Sequence, residues 1–220
     1  MKNSRKLLGK EIRLAASPLS WLFLTFALMA LIPGYPILVG AFFACFGIFQ
    51  SFQSGRENND ILYTVLLPVS KTDAVRAKFR FAVMIQMLFF VISAALTLVR
   101  MTLMKNAAPY VTNVMMNANQ AYLGYILLVF ALFNCIFLCG FFKTAYKIGF
   151  PFVLFIVISF ILILAAEVLH HIPGLEFLNQ TDTISNTTMW GLLAGAFAIY
   201  AIATAVSCKV AMKRFERVDM

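Results

Sequence analysis

Between Arg13 and Arg56 the chain has no ionised side chain, and most residues of this interval are apolar. A helix needs about 20 apolar residues to cross the hydrocarbon core of a bilayer, so the interval is long enough for two crossings. The sequence PGYP at residues 33–36 predicts the turn between them. The mean hydropathy of +0.87 and the 12% of charged residues leave too little polar surface for a soluble domain.

Further charge-free windows predict additional spans. The window between Lys105 and Lys143 exceeds the length of one span, but its first half is rich in asparagine, so its helix is expected to begin near Ala121. The chain is therefore expected to be an all-α, polytopic membrane protein in which residues 1–220 form a single transmembrane domain. Its six predicted spans lie at residues 18–33, 37–53, 80–99, 121–142, 149–168 and 189–208.

Lysine and arginine are distributed unevenly among the segments that connect these spans. If both termini are cytoplasmic, sixteen of the 18 basic residues lie on the cytoplasmic side, and only Arg100 and Lys105 lie outside. Basic residues near span ends are retained in the cytoplasm, so this orientation in the cell (cytoplasmic) membrane is predicted. Topology and contact with anionic membrane lipid then explain the net charge of +9, and no nucleic-acid partner is required.

The segment 1–16 combines basic and apolar side chains at helical spacing. Leu7, Leu8 and Ile12 can share one face, while Lys6 and Lys10 lie near the lipid head groups. This pattern predicts an N-terminal interfacial helix that lies on the membrane surface. A plain basic tail is the alternative.

No pattern of catalytic, cofactor-binding or metal-binding residues is present in the sequence, and the spans contain no acid–base pair. Cys135 and Cys139 are one helical turn apart but have no further ligand nearby in sequence. Glu167, His170 and His171 form an i, i+3, i+4 cluster at the end of the fifth span, where an interfacial cap or a ligand contact are both open. The chain is therefore not expected to be an enzyme.

Small residues recur at close helical spacing in two of the predicted spans. Small side chains let helix backbones approach closely in lipid, where the hydrophobic effect does not pull helices together. Such a surface serves either packing within the chain or a subunit interface, and the sequence leaves both open. The residues concerned are Gly40, Ala44 and Gly47 on the second span and Gly191 and Gly195 on the sixth.

The longest charge-rich passage, residues 54–79, separates the second and third spans. Its apolar residues recur at helical spacing and predict a short amphipathic helix, which Pro68 ends. Ser70 followed by Asp73 predicts the capped start of a second helix. A helix, a corner and a helix favour a docking element, although a connector that lies on the membrane surface is the alternative.

Residues 56–79, with the sequence RENNDILYTVLLPVSKTDAVRAKF, resemble the cytoplasmic segment of small permeases of type-2 ABC exporters. In that family an acidic and polar start, a Leu-Pro-Val-Ser corner and an Ala-Lys pair recur between the second and third spans. Over the rest of the chain the resemblance is architectural, in length, span number and basic amphipathic start. The nearest subgroup includes exporters of amphipathic peptides and antimicrobial compounds.

The resemblance implies that residues 57–67 form a cytoplasmic coupling helix that docks in a groove of an ABC ATPase, and that residues 68–71 form the elbow back to the membrane. The implied ATPase-coupling residues are Glu57, Asn58, Asn59, Asp60, Ile61, Leu62, Val65, Leu66, Pro68, Ser70 and Lys71.

The resemblance further implies a permease domain that acts with two ATPase subunits, which bind the ATP and Mg, and with a second permease chain, like or unlike. The complex would export an amphipathic or hydrophobic substrate: a peptide, an antimicrobial or a lipid-like molecule. The alternative is a membrane scaffold or immunity-type protein that transports nothing.

Overall fold

The computed structural model describes residues 2–111, 113–181 and 186–218, and within these ranges the chain is helical without strands. Three helices continue into irregular segments: π-helical turns over Glu11–Ala15 and Asn134–Leu138 and a 3₁₀ segment over Phe23–Leu31. A further 3₁₀ turn covers Glu176–Asn179. The α-helices are α1 (Lys2–Lys10), α2 (Pro18–Leu22), α3 (Val39–Glu57), α4 (Asp60–Leu66), α5 (Lys71–Thr102), α6 (Ala108–Val111), α7 (Gln120–Phe133), α8 (Cys139–Phe141), α9 (Gly149–Leu169) and α10 (Thr187–Glu216).

Four helical stretches of the described chain are long and apolar enough to cross a membrane: α5, the segment Gln120–Phe141 that contains α7 and α8, α9 and α10. The stretches Lys6–Ala15 and Pro18–Leu31 meet the same standard only as a pair, and the pair is bent by 95°. The described chain therefore has four candidate spans, or five if the bent pair is one span, and the predicted count of six is not confirmed. The reason lies in α3, whose second half carries Gln50, Gln53, Arg56 and Glu57 and lowers its mean hydropathy.

The bend near the N-terminus is set by two adjacent residues. Ser17 has an extended backbone, and its hydroxyl accepts a hydrogen bond from Leu19 N at 3.3 Å, so Ser17 caps α2. Pro18 occupies the first turn of α2, where its missing N–H group costs nothing. The amide of Ser17 also donates to Ser51 Oγ at 2.8 Å, which fixes the bend against α3.

Two glycines allow α3 to pack closely against the segment 18–31. A Cβ atom at Gly40 would lie 2.7 Å from Phe26 O, and one at Gly47 would lie 3.0 Å from Ser20 Cα. Ala44, between them, is fully buried. This small-residue surface therefore serves packing within the chain. At Gly191 and Gly195 an added Cβ would meet nothing within 4 Å, so their face of α10 is open.

A buried polar group joins α5, α7 and α10 inside the apolar bundle. Gln86 Nε2 donates to Asn134 Oδ1 at 2.9 Å, and Tyr200 OH donates to Gln86 Oε1 at 2.8 Å. Asn134 begins a π-helical turn, Asn134–Leu138, and its amide also donates to Thr204 Oγ1 at 2.9 Å. Interhelical hydrogen bonds of this kind hold spans together in lipid.

Candidate coupling site

The chain turns between α3 and α4 at two asparagines. Asn58 ends α3, and Asn59 has a left-handed backbone with φ of 52°, a conformation that asparagine tolerates better than most residues. Glu57 is therefore the last residue of α3, and α4 begins at Asp60 rather than at Glu57. The expected coupling helix over residues 57–67 is too long: α4 covers Asp60–Leu66, and its polar start belongs to the preceding turn.

The corner after α4 has the structure that its sequence predicts. Leu67 is extended, as expected of the residue before Pro68, and the helix ends there. Ser70 Oγ accepts a hydrogen bond from Asp73 N at 3.1 Å and caps α5, which confirms the predicted start of this helix. Lys71 Nζ donates to Val218 O at 2.7 Å, so the first turn of α5 also holds the C-terminal segment.

The apolar side chains of α4 divide between two directions. Ile61 and Val65 are partly buried and pack against the hydrophobic core. Leu62 and Leu66 are exposed, Leu66 by 74%, and Leu62 borders a groove that it shares with Tyr146. Tyr63, 65% exposed, enlarges this surface together with Leu67. The sequence pattern had grouped Ile61, Leu62, Val65 and Leu66 on one face and had missed Tyr63 and Leu67. We call Leu62, Tyr63, Leu66 and Leu67 the α4 surface.

A compact group of charges fixes α4 to the rest of the bundle. Lys78 Nζ lies 2.9 Å from Glu11 Oε2 and 2.8 Å from Asp60 Oδ2, although the Lys78 residue is only 5% exposed. Lys10 Nζ pairs with the other two oxygens, Glu11 Oε1 at 3.2 Å and Asp60 Oδ1. Two bases thus meet two acids from three elements. We call Lys10, Glu11, Asp60 and Lys78 the junction cluster.

The junction cluster compensates its own charge, as a buried ionic group must to avoid a large desolvation cost. Burial alone would raise the pKa of the Asp60 carboxyl, but Lys78 and Lys10 outweigh burial and hold that pKa below its usual value. Thr64 Oγ1 accepts from Lys10 Nζ at 2.6 Å and donates to Asp60 O, also at 2.6 Å. The cluster therefore links the N-terminal segment, α4 and the start of α5 into one unit. From the sequence, Lys10 was expected near the lipid head groups and Lys78 in the Ala-Lys pair of the family resemblance; their pairing with Glu11 and Asp60 was not predicted.

A groove of about 510 Å³ runs between α4 and the N-terminal segment. Its walls include Leu14 and Ala15 on one side and Tyr63, Leu66 and Leu67 on the other. Leu14 is strongly exposed. The α4 surface is therefore continuous with a groove that Lys10 and Asp60 of the junction cluster also line. A groove of this kind accepts a protruding side chain or helix of another protein.

The other candidate residues lie at the opposite end of the bundle. Glu167 Oε2 accepts a hydrogen bond from Met116 N at 3.0 Å, and His170 Nε2 lies 3.3 Å from Val114 O. The rings of His170 and His171 are 4.1 Å apart. Within the described ranges no three His, Cys, Asp or Glu residues are arranged to hold a metal ion. Glu167 and His170 thus each contact the backbone of the segment 114–116.

Comparisons with known proteins show the family of the chain but match no individual protein. No curated protein and no solved structure matches the chain. The family model described as ABC-2 family transporter protein matches residues 6–216, nearly the whole chain, including α4 and the junction cluster. That match confirms the family expected from residues 56–79, and it identifies the chain as a membrane-embedded, multi-pass permease component of a family that in general associates with ABC ATPases. The chain belongs to the ABC-2 family of transporter proteins.

Proposed function

We propose that this permease is the membrane subunit of an ATP-driven exporter that moves an amphipathic or hydrophobic substrate across the cytoplasmic membrane. ATP and Mg are bound by the ATPase subunits, of which two act with two permease chains. The permease contributes movement rather than chemistry, since it provides the path that the ATPases open and close. The substrate class rests on the resemblance of residues 56–79 to exporters of amphipathic peptides and antimicrobials.

The observation that carries this proposal is the α4 surface. Exposed apolar side chains on a polytopic protein are ordinary where they face lipid, but α4 lies outside the candidate spans. Burial of one leucine against a partner contributes about 1.5–3 kcal/mol, so Leu62 and Leu66 would together supply much of a docking interaction. The acid Glu57, at the end of α3, is exposed. An exposed ion pair contributes only about 0–1 kcal/mol, so Glu57 would orient the ATPase rather than supply much of the affinity.

The junction cluster suits α4 to transmit movement. An ATPase that pulls or pushes α4 also moves Asp60, and through Lys78 and Glu11 it moves α5 and the N-terminal segment. A connection made of buried, charge-assisted hydrogen bonds resists separation better than an apolar contact that can slide. Nucleotide binding would then bias the permease pair between two arrangements that open to different sides.

The proposed topology keeps six spans with both termini in the cytoplasm. The segment 18–31 would add the first span, because five α-helical and nine 3₁₀ residues extend about 25 Å. The 19 residues of α3 extend about 28 Å, close to a hydrocarbon core of about 30 Å. The segment Lys6–Ala15, bent away by 95°, would then lie on the cytoplasmic membrane surface.

The second permease chain, like or unlike, has an open helix face available. In the most apolar window of α10 only 17% of residues are buried, and Gly191 and Gly195 have no neighbour within 4 Å of an added Cβ. Glycines four residues apart permit close helix contact in lipid. We assign the subunit interface to this face of α10, since Gly40 and Gly47 are already occupied within the chain.

Copurification of the ABC ATPase with the tagged permease tests the proposal. The double variant Leu62→Asp/Leu66→Asp should lose the ATPase, because it places two charges in the docking surface. Leu103→Asp is the matched control, because Leu103 is an exposed leucine at the opposite end of α5. A double variant that inserts and resists proteolysis like the parent, and still retains the ATPase and supports export, contradicts the proposal. Retention of the ATPase with no export in the parent favours the scaffold alternative.

A further inference from the structure

Arg100 is a second buried basic residue on α5, at the end opposite to the junction cluster. Lys78 and Arg100 both lie on α5, and the helical rise separates them by about 33 Å along the axis. This distance slightly exceeds the thickness of the hydrocarbon core, about 30 Å. Arg100 is only 1% exposed, so its guanidinium lies in the protein rather than in the surrounding solvent.

The contacts of Arg100 are neutral. Its guanidinium donates to Ala30 O at 3.0 Å and to Asn117 Oδ1, and it lies 3.7 Å from the centroid of the Tyr110 ring. Among residues 2–111, 113–181 and 186–218, no carboxylate lies within 4.0 Å of it. A buried cation without a counter-charge carries a desolvation cost that hydrogen bonds to neutral groups offset only in part. The guanidinium also has more N–H donors than these two acceptors use.

Arg100 borders a cavity of about 510 Å³. The volume lies within the range of about 300–1,000 Å³ that is typical of small-molecule sites. Its described lining contains two cations, Arg100 and Lys105, and no acidic residue. The remaining polar lining consists of neutral donors and acceptors, namely Asn106, Tyr110, Asn117, Asn179, Gln180 and Thr181.

We propose that this cavity, the Arg100 pocket, binds an oxyanion of the phosphate class, either free or as the head group of a lipid. The Tyr110 hydroxyl donates to Leu31 O, and the Asn117 amide donates to Asn179 O. The Arg100 guanidinium, the Asn106 amide and the Thr181 hydroxyl on the cavity lining are donors of the kind that a phosphate accepts. The pocket lies at a border of the hydrophobic core, where lipid head groups are found. In the proposed topology this border is the outer one, and the site is independent of ATPase docking at α4.

Thermal unfolding of the purified full-length chain in lipid-free detergent tests the proposal with two probes. Sodium phosphate is compared with sodium chloride at equal ionic strength, and short-chain phosphatidylglycerol is compared with a neutral detergent of equal chain length. A bound ligand stabilises the folded protein in proportion to the logarithm of its concentration above Kd. A midpoint that rises with both probes supports a free oxyanion site, and one that rises only with phosphatidylglycerol supports a head-group site.

Asn106→Asp is the decisive variant, because it adds a negative charge to the pocket without changing side-chain size. Asn106 is exposed, so the fold should tolerate the change. The added charge should raise the Kd of the stabilising probe about tenfold. Asn58→Asp is the matched control at the other end of the bundle and should leave that Kd unchanged. Arg100→Gln should abolish the response altogether.

Two results would overturn the proposal. If the rise persists unchanged in Asn106→Asp, the probe binds outside the Arg100 pocket. If neither probe raises the parent's midpoint, the pocket of the parent binds no oxyanion; Asp182→Asn then distinguishes a structural clip, which gives no rise, from a site filled by a carboxylate of the chain's own sequence, which gives one. Asp182 belongs to residues 182–185, outside the described ranges.

Discussion

The two ends of α5 each bury a basic side chain, and they neutralise it differently. Lys78 meets Glu11 and Asp60 at 2.8–2.9 Å, and with Lys10 the four charges sum to zero. Arg100 meets a carbonyl, an amide and an aromatic face, beside a cavity of about 510 Å³. The first arrangement is complete within the chain and joins three elements. Among the described residues, the second has a cation without a counter-charge and a cavity beside it, which is why we propose a binding site there.

The largest loss of stability is expected when Lys78 is removed from the junction cluster. Lys78→Met leaves Glu11 and Asp60 with Lys10 alone, so one buried acid loses its counter-charge, and the variant should lose about 3–5 kcal/mol of stability. Arg80→Met is the matched control, because Arg80 lies on the same helix but is exposed; it should change stability by less than about 0.5 kcal/mol. Thermal unfolding of both in detergent measures the difference, and equal midpoints would show that the junction cluster contributes nothing.

A smaller effect is expected from the same substitution at the other end of α5. Arg100→Met leaves the acceptors Ala30 O and Asn117 Oδ1 without their donor, which costs about 1–3 kcal/mol. It also removes the desolvation cost of the buried cation, so the net loss of stability should fall below that range. The comparison is made in phosphate-free, lipid-free detergent, where no ligand stabilises the parent. A loss larger than that of Lys78→Met would break the comparison, because it would mean that Arg100 has a counter-charge in the folded chain.

The smallest of the three effects is a dependence of the folded chain's stability on pH, which comes from Asp60 in the junction cluster. The pKa of Asp60 is lower in the folded chain than in the unfolded one, so its stabilisation is complete above the unfolded-state value and is lost as the pH falls through the folded-state value. Asp60→Asn should therefore be less stable than the parent at pH 7, and the difference should narrow below about pH 4. Asp73→Asn, an acid at the capped start of α5, serves as the control. A gap that stays constant down to pH 3 would contradict the assignment.

Local signals in the sequence predicted α4 and its corner. Pro68 ends the helix, and Ser70 with Asp73 caps the next one, because each acts on the backbone of its immediate neighbours. The start of α4 was misplaced, since asparagine tolerates the left-handed conformation of Asn59 without requiring it. Whether Asn58 and Asn59 form this turn depends on how α3 and α4 pack, which the neighbouring residues in the sequence do not determine.

The surroundings of Lys78 and Arg100 could not be predicted from neighbouring residues in the sequence. Glu11 and Lys78 are far apart in the sequence, and only the folded bundle shows that they pair. Arg100 was counted as an outer basic residue for topology, and nothing in its neighbours indicates that the ring of Tyr110 and the carbonyl of Ala30 enclose it. The charge pattern along the chain predicts on which side of the membrane a residue lies. It does not predict whether a partner in the chain compensates that charge.

Photocrosslinking from the two ends of α5 tests most directly the claim that α4 docks the ATPase. A photoreactive amino acid replaces Leu66 on the α4 surface in one variant and Leu103 at the far end of α5 in the other, both exposed leucines. The account predicts a crosslink from position 66 to the ABC ATPase in membranes of cells that produce both proteins, and none from position 103. A crosslink to the ATPase from position 103, or none from position 66 in a complex that still hydrolyses ATP and exports, would contradict it.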